Sequence, residues 1–423
     1  NKKFEFNMNR FFKIIFIFIL LTSSSLPDAI LPENEVSIFS LIERQGTTYQ
    51  ISSKIPFTGI AVHYRSNGQL DYKKRFINGK LNGDTEYFHF NGELGLKEKY
   101  QDGEKEGIQE RYFYNGQLVL KENYQAGKKE GLQSYYYYNG QLKLQGKYKD
   151  GKKEGPHEFH YYDGQLKYRS NFSAGKFHGP VESYNINNQI ELRGNYNQGR
   201  EDGVQESYAN GKLISKGTIK NGKKDGVWET FSRDGQLDVK ESYKDGQKDG
   251  DQEYYSEGKL ESKGTMSKGK KDGNWQTFSR DGQLEVQENY TDGKVDGPQK
   301  YYFSNGQLKS QGNLKQGKED GPWEYFYISG QLKAQGNWKN SKKNGPWQDY
   351  FKNGQLRRNE TFYAGEFDGL IQWYYEDGQL REQGLYSKGT QNGLYYFYFA
   401  NGELRAKMCF KNNLKVDIPN CSE

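Results

Sequence analysis

The chain has 423 residues, 27% of them charged, and 61 Lys+Arg against 55 Asp+Glu give a formal charge of +6. So small an excess, with acidic residues interspersed among the lysines, argues against a nucleic-acid partner and for a soluble mixed-charge surface. A mean hydropathy of −1.08 is in the range of disordered chains, yet 35 Tyr and 25 Phe supply large buried area with little hydropathy, so folding around aromatic rings is expected.

In chain order, Met8–Lys13 is a short basic lead, Ile14 to Leu21 is wholly apolar, and Thr22–Ser25 is small and polar. Small residues at Ser23 and Ser25 suit signal-peptidase cleavage, so residues 1–25 read as a secretory signal. The apolar run is short for an ordinary membrane span, and an uncleaved anchor is the rival reading. Export follows as the expectation, to the periplasm, the outer surface or the medium of a bacterium. Residues 26–56 form a lead-in without the repeat.

From residue 57 to 410 one unit recurs. A glycine turn falls at Gly68, Gly92, Gly116, Gly140, Gly164, Asn188, Gly211, Gly235, Gly258, Gly282, Gly306, Gly330, Gly354, Gly378 and Gly402, 24 residues apart except for two intervals of 23. A fixed period of this length marks a repeat architecture. In the unit beginning at Gly321, Pro322–Tyr327 is an aromatic strand. Ile328-Ser329-Gly330 is a type I turn with a left-handed bulge, and Gln331–Lys339 is the returning strand. Residues from Asn340 turn again into Gly345. No helical period follows either strand. The predicted fold is all-β, an elongated single-layer antiparallel meander of tandem 24-residue hairpins. The shorter intervals are expected to alter its curvature.

Phe326, Leu332 and Trp338 are expected to share the buried face, with Lys333 and Gln335 in solvent. Trp228, Trp275, Trp323, Trp347 and Trp373 fall on the second face with Tyr301 and Tyr325. Aromatics there either pack or form a strip that holds a partner or a glycan, and these five are the candidate partner-binding residues. Residues 411–423 are a tail. The two cysteines, Cys409 and Cys421, suggest a structural disulfide in an oxidising compartment.

The pattern of Tyr350-Phe351-Lys352-Asn353-Gly354-Gln355-Leu356, followed by Gly-x-Tyr-x-x-Gly-Lys-x-x-Gly as in Gly146–Gly155, resembles the bacterial variant of the MORN repeat. The resemblance runs from about Phe57 to Phe410. It implies stacked hairpins and a role as scaffold or interaction module. Some members of that family act as antitoxins of toxin–antitoxin pairs, and MORN repeats are linked to membrane phospholipids. Neither role has a residue signature to carry over, and a cytoplasmic antitoxin fits poorly with the Met8–Ser25 signal.

Chemistry-bearing motifs are few. Gly264-x-x-x-x-Gly269-Lys270-Lys271 imitates a phosphate loop, but it lacks the following Ser or Thr and precedes a strand. His157 and His160, three apart on a strand, point to opposite faces and do not share a metal. The Asp-Gly-Lys-Lys turns lack alternating carboxylates for calcium. No catalytic, cofactor or metal residue is therefore assigned, and no enzyme is expected. Two functions are carried forward. One is an exported scaffold binding a protein, with a glycan or membrane phospholipid as alternatives; the other is an antitoxin or immunity protein.

Overall fold

The computed structural model describes residues 35–418 and Cys421; the secretory-signal reading of 1–25 lies outside them. Two kinds of turn generate the fold. At Gly330 (φ 88°) the Gly330 N–H donates to the Tyr327 carbonyl (2.9 Å) and the Tyr327 N–H to the Gln331 carbonyl (2.8 Å). This is a three-residue loop closed by a left-handed residue, a conformation that admits Gly or Asn without penalty. Asn188, at φ 57°, takes the same place. The returning turn is a two-residue type I′ turn, with Asp292 and Gly293 at φ 51° and 82°. In the two 23-residue units the first turn also becomes type I′, at Asn210-Gly211 and Glu257-Gly258. Leu213 still pairs with Tyr208 and Leu260 with Tyr255, as Ile190 pairs with Tyr184. The missing residue is taken from the turn tip, and pairing beyond it is unchanged.

The described residues divide into two units, one up to Gly116 and one from Gln117 onward. In the first, Glu35–Ser37 lies parallel beside Gly59–Tyr64 and is followed by a 3₁₀ turn, Ile38–Ser40, and a separate hairpin, Leu41–Arg44 with Thr47–Gln50. Val36, Ile38, Leu41 and Leu81 pack on buried Phe57, Ala61 and Phe76. The lead-in thus closes the open edge of the first repeat strand. Antiparallel strands then follow in sequence order. The second unit continues strand by strand from Leu118–Gln125 to Leu414–Val416. Its last strand is three residues long, and the Cys409–Cys421 disulfide, Cα–Cα 5.7 Å, holds the segment that follows.

Each hairpin contains two bulges, and they decide which side chains are buried. One falls between Tyr325 and Phe326, so Tyr325 pairs with Ala334 but Phe326 with Leu332. The other lies between Gly336 and Trp338, which pair with Trp347 and Lys343. Trp323 lies opposite Gly336, on the face of Ala334 and Trp338. The expected division of faces is corrected accordingly. Trp323 and Tyr325 belong to the buried face, while Phe326 is displaced by the bulge to the other one and Leu332 is only half-buried. Lys333 is exposed, but Gln335 is half-buried.

Turns of the second kind are stitched together. The Gly293 N–H donates to Lys271 O (2.8 Å), Gly317 to Val295 O (2.8 Å) and Gly365 to Lys343 O (2.9 Å). A flat sheet would hold like turns about 9.6 Å apart, two strand spacings. The sheet of the second unit therefore curls along this edge, and the tryptophan face is the dry side of the curl.

Packing on that face follows size at most positions, Gly194, which meets Gln205, being an exception. Where a strand carries Gly, its neighbour presents a large side chain: Gly146 faces His157, Gly217 Trp228, Gly264 Trp275, Gly312 Trp323, Gly336 Trp347 and Gly384 Tyr395, and a Cβ on any of these glycines would collide with the facing ring. Where the position is Glu, the neighbour is Gln, as in Glu241 with Gln252 and Glu288 with Gln299. This rule ranks deletions. Removing 319–342 joins Lys318 to Lys343 and leaves Gly312 facing Trp347, so a folded protein of nearly unchanged stability is expected. Removing 271–294 leaves Gly264 facing Gln299, with a void that should lower stability by about 2 kcal/mol more. Urea unfolding of the two deletions checks the order.

Candidate interaction surface

The five candidate tryptophans do not form an exposed strip. Trp275, Trp323 and Trp347 are only 5%, 5% and 4% exposed, each flat against the glycine of the preceding strand. Half-buried Trp228 sits on Gly217 in the same way. Trp373 belongs to another row, opposite Arg358, with the Arg381 guanidinium 5.2 Å from its ring. The indole N–H groups point into the bulge: Trp228 donates to Thr218 O (2.9 Å), Trp275 to Thr265 O (2.8 Å) and Trp323 to Asn313 O (3.1 Å). Gln133, Gln252 and Tyr395 make the equivalent bonds to Asn123, Ser242 and Leu385. The column is a set of hydrogen-bond donors that meet carbonyls at the bulge, a carbonyl having two lone pairs to offer. Burial of Trp275, Trp323 and Trp347 leaves those three rings no surface for a partner, whereas Trp228 and Trp373 are half-buried.

Lysines and glutamates share this interior. The second lysine of the Lys-Lys turns lies over rings, Lys271 Nζ at 4.1 Å from Trp275 and 4.8 Å from Tyr290, and Lys343 Nζ at 4.0 Å from Trp347. Such placement lets a cation occupy an aromatic core. Burial holds the Lys343 ammonium below its ordinary pKa. Burial alone would raise the Glu241 carboxyl, but hydrogen bonds from Lys248 and Tyr243 outweigh it and hold the group below the usual glutamate range. Tyr243 is pushed up to about 12, first by burial and then by its bond to Glu241. Glu360, 1% exposed, goes the other way. Burial raises it, and Arg358, 3.3 Å away, offsets that only in part.

His157 is buried between Tyr148 and Phe172, whereas His160 pairs with Leu166. Among the described residues no three His, Cys, Asp or Glu are grouped to hold a metal ion.

The face open to solvent is the opposite one. Its axis is a row of directly paired side chains, one from each strand. Glu158 pairs with Arg169, Arg169 with Glu182, Glu182 with Arg193 and Arg193 with Glu206. The row continues through Lys216, Glu229, Lys240, Glu253 and Lys263. Arg169 Nε lies 3.0 Å from Glu158, Arg193 Nη1 3.3 Å from Glu206 and Lys216 Nζ 3.0 Å from Glu229. The cations stand further out than the carboxylates, Arg193 at 53% exposure against Glu182 at 22%. Beyond Lys263 the row turns mostly neutral. Gln335 donates to Gln348 (2.7 Å), Asn359 to Gln372 (3.3 Å) and Gln372 to Gln383 (3.3 Å). Beside it runs an exposed apolar row that includes Val204, Val227, Pro298, Pro322, Pro346 and Leu370. Sequence reasoning missed this face, because alternation counted through the bulges puts its residues out of phase. The signal was present two positions before each first-strand aromatic.

Opposite pKa directions give opposite pH responses. The folded pKa of Glu241 is depressed, so its contribution is present above the unfolded value, about 4.3, and is lost as pH falls through the folded value. For Glu360 the folded pKa is raised, so its contribution is full below the unfolded value and fades as pH rises through the folded one. Glu241→Gln should therefore lower Tm at pH 7 and converge on wild type in acid. Glu360→Gln should not lower Tm at pH 7 and should lose ground to wild type as pH falls. Tm measured across acid and neutral pH checks both, and shifts of the same sign would contradict the assignment.

Comparison with known proteins agrees with this construction. Residues 105–126, 129–150, 224–245, 271–292, 295–316, 319–340, 343–362, 367–388 and 391–412 match the profile of the MORN repeat variant. Curated proteins give no match. Among solved structures, a crystal structure of TcdB2-TccC3 aligns at 11% identity over 89% of this chain and 26% of that one, with a TM-score of 0.15. The Photorhabdus luminescens Tc holotoxin pore aligns at 10% identity over 85% and 22%, with a TM-score of 0.15. This chain spans about a quarter of the length of those chains. From residue 105 to 412, in nine matched segments, the chain carries repeats of the MORN variant.

Proposed function

We propose that the chain is an exported, non-enzymatic scaffold that docks a protein partner on the charged stretch of its open face. One observation carries the reading. From Glu158 to Lys263 acidic and basic side chains alternate strand by strand in direct register, with the cations outermost. Exposed ion pairs of this kind add little to stability. They give specificity and on-rate to an interface of complementary charge. A repeated surface also spreads binding over several units.

The test uses the full chain as bait for an envelope fraction, compared with an Arg193→Glu, Lys216→Glu double variant. Capture of the same partner should fall about tenfold or more and weaken with added salt, in a protein that remains folded by circular dichroism although like charges now lie opposite one another. Equal capture by both proteins would refute the charged face as the docking surface. Replacing Trp323 and Trp347 with Ser would instead unfold the neighbouring hairpins, so it does not serve as a binding test.

Export rests on the sequence between Met8 and Ser25. Protein recovered from the envelope or medium should begin near Leu26, as read by intact mass. An unprocessed cytoplasmic product would contradict export.

A further inference from the structure

The neutral stretch of the open face carries a feature that the charged stretch does not. Two shallow clefts of similar outline lie one repeat apart. The first is lined by Pro298, Lys300, Gln311, Asn313, Pro322 and Glu324. The second is lined by Pro322, Glu324, Gln335, Asn337, Pro346 and Gln348, so one cation and one carboxylate stand among amides and prolines. Gly312 and Gly336 lie in them, and the Trp323 and Trp347 rings cover the same two glycines on the buried side. Gln311 donates to Glu324 (2.6 Å), and Gln335 to Gln348 (2.7 Å) and Tyr350 (3.0 Å).

We propose that these clefts bind a neutral linear polysaccharide, one short segment per cleft. The proposal rests on the scaffold reading and adds a second ligand class to it. Like clefts two strand spacings apart, about 9.6 Å, match a ligand that is itself periodic, and that spacing is close to the length of a disaccharide. Side-chain amides both donate and accept, as hydroxyls do, and the proline rings offer apolar walls to the C–H faces of a sugar. A peptide fits less well. The strands are paired on both sides, so no free edge invites strand addition, and the aromatic rings that line polyproline-binding grooves here face the interior.

The experiment is calorimetric titration of the full chain with cello-, malto- and chito-oligosaccharides from disaccharide to octasaccharide. Polygalacturonate and a polyproline peptide serve as comparators. One neutral series should bind, with affinity rising about tenfold or more once the chain is long enough to reach both clefts. An Asn313→Ala, Asn337→Ala double variant should weaken that binding about tenfold or more, one hydrogen bond being lost per cleft. Pro322→Arg, at the wall the clefts share, should abolish the dependence on length. The proposal is overturned if no neutral series binds, if affinity is flat with length, if both variants bind as wild type, or if either comparator binds more tightly. Protein capture by the charged stretch is measured on the same preparations. Loss of glycan binding with capture intact removes this inference alone; loss of both removes the scaffold reading as well.

Discussion

The hydrogen bond from a buried side chain into the bulge ten residues upstream is the interaction that recurs along the sheet. A bulge is needed in each hairpin so that the chain can turn through its positive-φ glycine, for example Gly273 at φ 84°. At the bulge the Thr265 carbonyl accepts from the Trp275 indole. Glutamine and tyrosine make the same bond at Gln252 and Tyr395. This explains how such different residues occupy one column. At Ile371, which has no donor, the Thr361 carbonyl keeps only the backbone bond from the Asp368 N–H (2.9 Å), whereas Asn123 O accepts both from the Glu130 N–H and from Gln133.

The interior is therefore polar in composition and dry in effect. Low hydropathy and high aromatic content are two aspects of one design. Rings supply area, lysine stems lie along them, and the few interior carboxylates are met by lysine, arginine and tyrosine donors. Glu122 accepts from Lys129 and Tyr124 (2.9 Å) and also from Tyr135. The alternative, an aliphatic core, would need larger side chains on every strand. A meander whose strands each touch only two others has little volume to hold them.

Much of the architecture was legible in the sequence. The period located the turns, the lone Asn188 announced a left-handed position, and the pairing of Phe326 with Leu332 followed from loop length. Burial was legible only in part, because side-chain alternation is a phase and each bulge advances it by one. Trp323 was counted on the wrong side for that reason. The exchange of Gly336 with Trp347 for Glu288 with Gln299 could have been found by aligning the repeats and comparing position 336 with position 347. The lead-in was opaque, since Val36 and Ile38 carry no repeat signal and find their place only against Phe57 and Phe76.

The stitching of turn to turn bears on how such a sheet meets a pulling force. Tension along a strand pair in shear loads many hydrogen bonds at once, but tension at the end of a meander peels one strand from the next and loads them in succession. Each hairpin then yields separately and releases a similar length of chain, as a ratchet pays out rope. Among the described residues, the first strand of the first unit and the last strand of the second are each secured. Glu35–Ser37 lies alongside the first repeat strand, and Cys409 is tied to Cys421 just beyond the last. In a reducing compartment the second fastening would open, and the repeats nearest the C-terminus would be the first to give way.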